Sequence, residues 1–390
     1  MSITGRDDAK GPQRIRYAMV GGGQGAFIGA VHRLAARMDD EFTLVAGALS
    51  SEPERAVASA LALGIAADRA YPTWEAMLAG EKARPDGAEA IAIVTPNHMH
   101  FGPAKAALEA GFHVICDKPL TTTLADAEAL AEAARRTGRV FVVTHNYTGY
   151  PMIRHARAMI AAGALGRIRV VQAEYAQGWL ATRLEETGQK QAAWRTDPKR
   201  SGAGGCVGDI GTHAMNLACF VTGLTLDSLC ADLSTFVEGR PLDDNVNILL
   251  RFAGGARGML WASQVAPGNE NALRLRVYGE KGGLSWDQEQ PNDLWWSPLG
   301  EPTQKLTRGT GAVNAAGARV TRIPSGHPEG YLEGFATIYA EAARAIRAAR
   351  TGAAADPDVV FPTVGDGVAG VAFVEAAVRS SAEGGRWVAV

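Results

Sequence analysis

The first 150 residues alternate between short apolar runs and longer stretches with helical periodicity. The runs are IRYAMV at 15–20, FTLVAGA at 42–48, AEAIAIV at 88–94, VIC at 114–116 and VFVVT at 140–144. Runs this short, bounded by Gly, Pro and polar clusters, read as strands buried on both faces. Between them the pattern predicts helices up to Met38, from Pro53 to Leu63, from Thr73, up to Ala110 and after Pro119, with a short element at Arg69 to Tyr71. Strands alternating with helices in this way specify a parallel α/β sheet.

After Pro151 the rhythm changes. A helix is expected from Met152 to Ala162, then strands at Ile168 to Tyr175, Leu229 to Val237, Val246 to Phe252, Arg257 to Val265 and Leu273 to Tyr278. The later ones lie too close together for crossover helices, which implies antiparallel pairing. Leu273-Arg274-Leu275-Arg276-Val277 alternates apolar with charged, as a half-exposed strand does. Lys281-Gly282-Gly283 marks a hairpin, and helices at Tyr331 to Arg350 and Val364 to Ala382 close the chain. The fold class is therefore α/β followed by α+β. A loose tail is expected over residues 1–14, a parallel-sheet domain over 15–148 and an α+β domain with an open antiparallel sheet over 149–390, with Gly149-Tyr150-Pro151 as the hinge.

Composition narrows the function classes. Of 390 residues 47% are apolar and 21% charged, ordinary globular usage for two or three domains. The 39 basic and 41 acidic side chains give a formal charge of −2 with no basic block or stripe, which argues against nucleic acid as a partner. No apolar run is long enough for a bilayer, and the polar start MSITGRDDAKGPQ has acids where a signal peptide needs an apolar core, so a cytoplasmic protein without a membrane partner is expected. Cys116, Cys206, Cys219 and Cys230 form no CxxC pair, which favours reduced structural cysteines over disulfides or a metal site.

The first strand runs into Gly21-Gly22-Gly23-Gln24-Gly25-Ala26-Phe27, a match to G-x-G-x-x-G/A. Gly21 allows the tight turn, Gly23 lets the backbone approach a pyrophosphate, and the small Ala26 lets helix and strand pack closely. The following helix offers its first N–H groups to phosphate. The second strand ends in Leu49-Ser50-Ser51 before Glu52, so the acid that usually holds the adenine ribose is missing and nothing repels a 2′-phosphate. Arg55 is near enough in sequence to contact one, although a solvated place in the next helix accounts for it as well. NAD and NADP both stay open.

Polar clusters also stand at the ends of the third and fourth strands: Thr95-Pro96-Asn97-His98-Met99-His100 and Asp117-Lys118-Pro119. Ligands of open α/β sheets bind outside the carboxyl ends of strands, which makes Thr95, Asn97, His100, Asp117 and Lys118 candidates for one site. Lys118 taken alone is equally a surface lysine. In the second half Trp194-Arg195 precedes a glycine-dense run from Gly202 to His213. Asp209 and His213, four apart on an expected helix, share one face. An N-cap Asp beside a satisfied histidine is the alternative that this spacing leaves open.

GGGQGAFIG at 21–29, TPNHMH at 95–100, CDKP at 116–119, WR at 194 and GDIGTHAMN at 208 together resemble, in order and spacing over nearly the whole chain, the glucose–fructose oxidoreductase, inositol dehydrogenase and rhizopine catabolism family of NAD(P)-dependent oxidoreductases. The resemblance implies a Rossmann domain, an NAD or NADP cofactor, and Lys118, Asp209 and His213 as catalytic residues, with Trp194 and Arg195 counted among the cofactor contacts. Asp117 stands where the family usually has Glu, and the glycine loop is longer than the commonest form. HNYTGYP at 145, AAWRTDPKRSGAGG at 192 and SGHPEGY at 325 resemble the longer members that oxidise inositols and related pyranoses, above all scyllo-inositol dehydrogenases. This implies scyllo-inositol or myo-inositol as substrate, L-glucose as a further one, and a dimer or tetramer built through the antiparallel sheet.

Oxidising a hydroxyl requires a hydride acceptor and a base. Histidine ordinarily titrates near 6.5, which suits His213 as the base. Lysine ordinarily titrates near 10.4, so Lys118 is expected to act as its hydrogen-bonding partner unless strong desolvation makes it the base. Asp209, near a helix start, is expected to stay ionised and to bind ring hydroxyls or orient the imidazole. Asn146, Tyr175, Trp179 and His327 are candidate substrate contacts. The rival readings are a non-catalytic sugar or dinucleotide sensor, and an NAD-dependent glycoside-cleaving enzyme.

Overall fold

The computed structural model describes residues 13–390, so the expected tail falls, up to residue 12, outside the described residues. The chain divides into two compact units. The first holds residues up to Thr121, Ala125–Gly149 and Tyr331–Val368; the second holds Thr122–Leu124, Tyr150–Gly330 and Ala369–Val390.

In the first unit β1 (Ile15–Gly21), β2 (Phe42–Ala48), β3 (Ala90–Val94), β4 (His113–Cys116) and β5 (Phe141–Val143) form a parallel sheet in the order β2-β1-β3-β4-β5. Helices Phe27–Met38, Pro53–Ala62, Trp74–Ala83, Phe101–Ala110 and Leu124–Thr137 alternate with the strands. β3 and β4 are buried along their whole length, which is why AIAIV and the VIC that follows His113 read as unbroken apolar runs. The expected short element at Arg69 to Tyr71 is an isolated parallel bridge of Ala70 with Gly47, in which Tyr71 N–H donates to Gly47 O at 2.9 Å, preceded by a 3₁₀ turn at Ala67–Arg69. Strand order reverses between β1 and β3, and Gly21 pairs with Val94 there, so the glycine loop and Thr95 leave the sheet side by side. That reversal is where dinucleotides bind in open α/β sheets.

The helix Tyr331–Thr351, expected in the second domain, belongs to the first unit. Its residues Phe335, Tyr339 and Ile346 join the core formed by Ile15, Tyr17 and Phe42, and the Tyr339 ring meets Phe42 edge-on at 5.3 Å. A single cut near residue 149 misses this return, because the amphipathic stripe of a helix does not say which sheet it covers.

The second unit carries a nine-stranded sheet: β6 (Ile168–Ala176), β7 (Leu226–Ser234), β8 (Asn245–Phe252), β9 (Arg257–Ser263), β10 (Ala272–Gly279), β11 (Gly282–Asp287), β12 (Asp293–Pro298), β13 (Gln304–Thr307) and β14 (Val388–Ala389), in the order β13-β12-β11-β10-β6-β9-β8-β7-β14. All neighbours pair antiparallel except β6 and β9, which corrects the expectation of purely antiparallel pairing. The chain between β6 and the β7–β9 meander is long enough to return β9 in the same direction as β6. The hairpin turn at the expected place is Glu280–Lys281, while Gly282 and Gly283 already belong to β11. Helices Pro151–Ala161 and Thr212–Thr222 pack on one face of the sheet. On the other face β8 shows the alternation of a half-exposed strand, with Asn247, Leu249 and Arg251 outward.

Candidate active site

The first unit supplies a loop built to hold a phosphate. Gly21, Gly22 and Gly25 all have φ between 74° and 78°, a left-handed backbone that side chains with Cβ resist. A Cβ on Gly23 would fall 2.5 Å from Leu49 O, and one on Gly29 would fall 2.4 Å from Gly22 Cα. Close packing of helix on loop therefore rests on Gly29 in the helix. Ala26 caps the helix without a side-chain hydrogen bond, and the first turn holds no acid, so its positive end is uncompensated by the chain itself. Phe27 is exposed beside it. A pyrophosphate fits such a cradle.

At the end of β2, Ser50 Oγ accepts the N–H of Glu52 at 3.1 Å, and no carboxylate takes the usual ribose position. Arg55 reaches back to donate to Gln24 O at 2.8 Å, which places a guanidinium on the glycine loop itself. Gln24 N–H in turn donates to Ser59 Oγ at 3.2 Å. Sequence spacing alone did not decide between this place and solvent.

His100 differs from its expected role as a cofactor contact. It is fully buried, with Nδ1 2.8 Å from Pro119 O and Nε2 2.9 Å from Thr95 O, so it braces two strand-end loops against each other. Asn97 is buried in the 3₁₀ turn between them. Asp117 Oδ1 accepts from Lys118 N–H at 2.8 Å and from Thr144 Oγ1 at 3.1 Å, which fixes the backbone that carries the Lys118 side chain. The peptide between Lys118 and Pro119 is cis. Burial pushes His145 down to about 3, and the Lys118 cation adds to the effect. Asn146 begins a buried 3₁₀ turn, Asn146–Gly149, that the Tyr331–Thr351 helix approaches so closely that a Cβ on Gly149 would meet Gly334 O at 2.0 Å. Asn146 Nδ2 is buried with no hydrogen-bond partner among the described residues.

The second unit supplies the acid and the histidine. The regular helix expected from Gly208 begins only at Thr212; Val207–Gly211 is a π-turn, in which Thr212 N–H bonds Val207 O. Such widened turns concentrate at functional sites. Asp209 and His213 lie on either side of this junction, both buried. Asp209 Oδ2 accepts from Arg195 Nε and from Gln264 Nε2, each at 2.9 Å. Arg195, expected at the cofactor, is thereby committed to Asp209. Its guanidinium stacks 4.2 Å from the Trp194 ring, lies 6.0 Å from that of Trp179, and donates to Gln191 Oε1 at 2.6 Å.

The His213 ring meets the Tyr175 ring edge-on at 6.1 Å. Tyr175 O–H donates to Asn271 Oδ1 at 2.7 Å, Gln177 Nε2 donates to the same oxygen at 2.8 Å, and Trp179 Nε1 donates to Gln177 Oε1 at 2.9 Å. Tyr175, Trp179, Arg195, Asp209 and His213 thus form one connected cluster. His327 stands outside it. It sits exposed on a loop whose backbone is held by the buried Arg308–Glu329 pair, and its ring makes no hydrogen bond or ring contact among the described residues. Gln264 and Asn271 carry no motif that sequence reading could have caught, since they reach the cluster from strand ends remote in sequence, whereas Gln191 lies one turn before Arg195 on the same short helix.

A glycine cradle at a strand-order reversal, with a lysine at a neighbouring strand end, defines the class of a dinucleotide-dependent oxidoreductase. Residues 15–147 match the oxidoreductase family model with an NAD-binding Rossmann fold, and residues 153–285 match the GFO/IDH/MocA C-terminal domain. The chain belongs to the GFO/IDH/MocA family of NAD-binding oxidoreductases. It is 55% identical to an oxidoreductase from Sinorhizobium meliloti of solved structure (TM-score 0.89, covering 97% of this chain and 100% of that one). It is 39% identical to an inositol dehydrogenase homologue from Azotobacter vinelandii, solved with NADH and myo-inositol (TM-score 0.90, 97% and 98% covered). A levoglucosan dehydrogenase from Pseudarthrobacter phenanthrenivorans is 30% identical over 72% of this chain and 76% of its own.

Proposed function

We propose that this oxidoreductase oxidises a secondary or anomeric hydroxyl of a cyclic polyol or pyranose, with scyllo-inositol and myo-inositol the first candidates and L-glucose a further one. His213 takes the hydroxyl proton, Lys118 donates a hydrogen bond to the reacting oxygen, and Asp209 holds a neighbouring ring hydroxyl. A bound nicotinamide supplies the hydride acceptor, so that the carbon loses a hydride and the oxygen a proton. The observation that carries the reading is the Asp209–His213 cluster: a carboxylate held through one oxygen by Arg195 and Gln264, next to a histidine against an aromatic wall. Fixed polar groups of this kind suit a substrate with several adjacent hydroxyls and reject deoxy analogues, which would leave them unpaired. Asn146, with its buried amide, is a further substrate contact. The likeness to a homologue solved with myo-inositol supports the substrate class.

Arg55 on the glycine loop and the missing acid at Ser50 support use of NADP beside NAD. The four free cysteines suit a reducing, cytoplasmic setting. The outward Val170, Leu249, Met259 and Tyr278 of the large sheet support association of copies through that face.

The test is reduction of NAD and NADP, followed at the nicotinamide absorbance, with scyllo-inositol, myo-inositol, levoglucosan, D-glucose, L-glucose and D-xylose, and with Lys118→Ala as control. Turnover of an inositol that the variant lacks is the expected result. Dinucleotide binding without reduction by any of them would sink the dehydrogenase reading in favour of a sensor, and aglycone release from a test glycoside would favour glycoside cleavage.

A further inference from the structure

The start of the Asp209–His213 segment is held from far along the chain. Asp243, just ahead of β8, accepts the Gly205 N–H on Oδ1 at 2.6 Å and the Val207 N–H on Oδ2 at 2.8 Å, while its own carbonyl accepts the Cys206 N–H at 2.8 Å. Three consecutive amides, the ones a helix start leaves without internal partners, thus converge on one residue 36 to 38 positions later. The approach is so tight that a Cβ on Gly205 would lie 2.3 Å from Asp243 O. Asp209 follows at once, with its N–H bonded to Gly205 O at 2.9 Å.

The neighbouring residue completes the arrangement. Asp244 O accepts the Gln264 N–H at 2.9 Å, and Gln264 is one of the two donors to Asp209 Oδ2. The Asp244 carboxylate faces the other way, onto Phe236 N–H, Val237 N–H and the buried Arg240. Asp243 is itself almost wholly buried, and burial pushes it up to about 6 despite its amide donors. Burial of this carboxylate is costly, but an apolar residue in its place would leave the Gly205 and Val207 N–H groups buried without partners, so the side chain is required by the turn it holds.

We propose that Asp243 is the positioning residue of this catalytic pair: it fixes the backbone from Gly205 to Val207 and so sets where the π-turn delivers Asp209 and His213. The proposal rests on the catalytic reading of Asp209 and His213 given above. Because Asp243 touches no reacting atom, its loss should act through misplacement, for which a shift of about 1 Å is enough to cost about a hundredfold in rate.

The experiment compares Asp243→Asn, which keeps an oxygen acceptor but loses the second, with Asp243→Ala. Full-length protein is assayed for kcat, for KM of the polyol and for NADH affinity by fluorescence, and the Asp243→Asn crystal structure is solved. kcat is expected to fall about tenfold for Asn and about a hundredfold for Ala, with NADH affinity within about twofold of the parent. The crystal structure is expected to show Asp209 drawn off Arg195 or Gln264. Where Ala fails to fold, Asn decides. A folded Asn variant with parental kcat and an undisplaced Asp209 overturns the proposal. If Asp209 is displaced and turnover is unchanged, it is the catalytic reading that falls, as it does if His213→Ala keeps parental activity.

Discussion

The two units present their functional residues by opposite means. In the first, the candidates other than Arg55 follow the ends of buried parallel strands, and the sheet itself aligns those ends: β1 delivers the glycine loop, β3 Thr95, β4 Lys118. In the second, Asp209 and His213 stand at the start of a helix laid on a sheet, and their places depend on side chains from distant segments, Arg195, Gln264 and Asp243. The first arrangement is robust because hydrogen-bond register fixes it. The second is adjustable, since a change at any one support moves the chemistry without touching the sheet. A fold that takes one cofactor and many substrates is served by that division.

The largest effect that would sharpen the comparison is loss of the proposed base. His213→Ala should lower kcat about a thousandfold and leave NADH affinity unchanged, whereas Lys118→Ala should lower kcat by a similar factor; stopped-flow and fluorescence titration read both. Parental turnover in His213→Ala would break the assignment of chemistry to the second unit.

Next comes pH, where the two units should respond with opposite sign. Burial pushes His32 and His113 of the first unit down to about 4, and His145 to about 3. The unfolded chain takes up those protons near 6.5, so their contribution is full above 6.5 and is lost as pH falls toward 4. For His32 alone this is at most about 4 kcal/mol, at about 1.4 kcal/mol per pH unit. Asp243 in the second unit is raised to about 6, above its unfolded value, so its term is fully favourable below about 3.8 and fades as pH rises through 6. His155, lowered by burial, partly offsets it there. Hydrogen exchange at pH 7 and pH 5 should show β1, β3 and β4 losing more protection than β6, β9 and β10; equal loss would refute the contrast.

Gly29→Ala should destabilise the first unit by about 1–3 kcal/mol and weaken NADH binding, because the new methyl meets Gly22 backbone that cannot yield. A denaturant titration with parental midpoint would show that the loop can relax. The smallest change expected is Arg55→Ala, which should raise KM for NADP several-fold and leave that for NAD nearly unaltered, since a single exposed charge pair is worth about 1 kcal/mol or less.

How far the sequence alone reached follows the same division. The parallel strands were legible because both faces are buried and their composition is uniform; only their ends shifted, as at Phe141–Val143. β7 begins three residues before its expected start, and β12 to β14 went unseen, since short half-exposed strands carry little pattern. The pairing of β6 with β9 depends on where a long excursion returns, and no local signal encodes that. Lys118, Asp209 and His213 were singled out by motif and carry the proposed roles, whereas Arg195 and His100, read as cofactor contacts, bond Asp209 and the backbone of Pro119 and Thr95. Asp243 belongs to no motif, and only three-dimensional contact relates it to Val207.

The helix Tyr331–Thr351 also sets an order of events during synthesis. The cofactor unit buries Phe335 and Tyr339 in its core, so the nascent chain cannot complete that unit until the ribosome has made almost everything else. Domains usually finish from the N-terminus onward; here the part that starts first must wait for a segment that begins 188 residues after the end of β5. A premature stop near residue 330 would therefore strip the nucleotide-binding unit of residues 331–368 as well as the second unit of 369–390, and any chimera that grafts the nucleotide-binding unit elsewhere must carry residues 331–368 along with it.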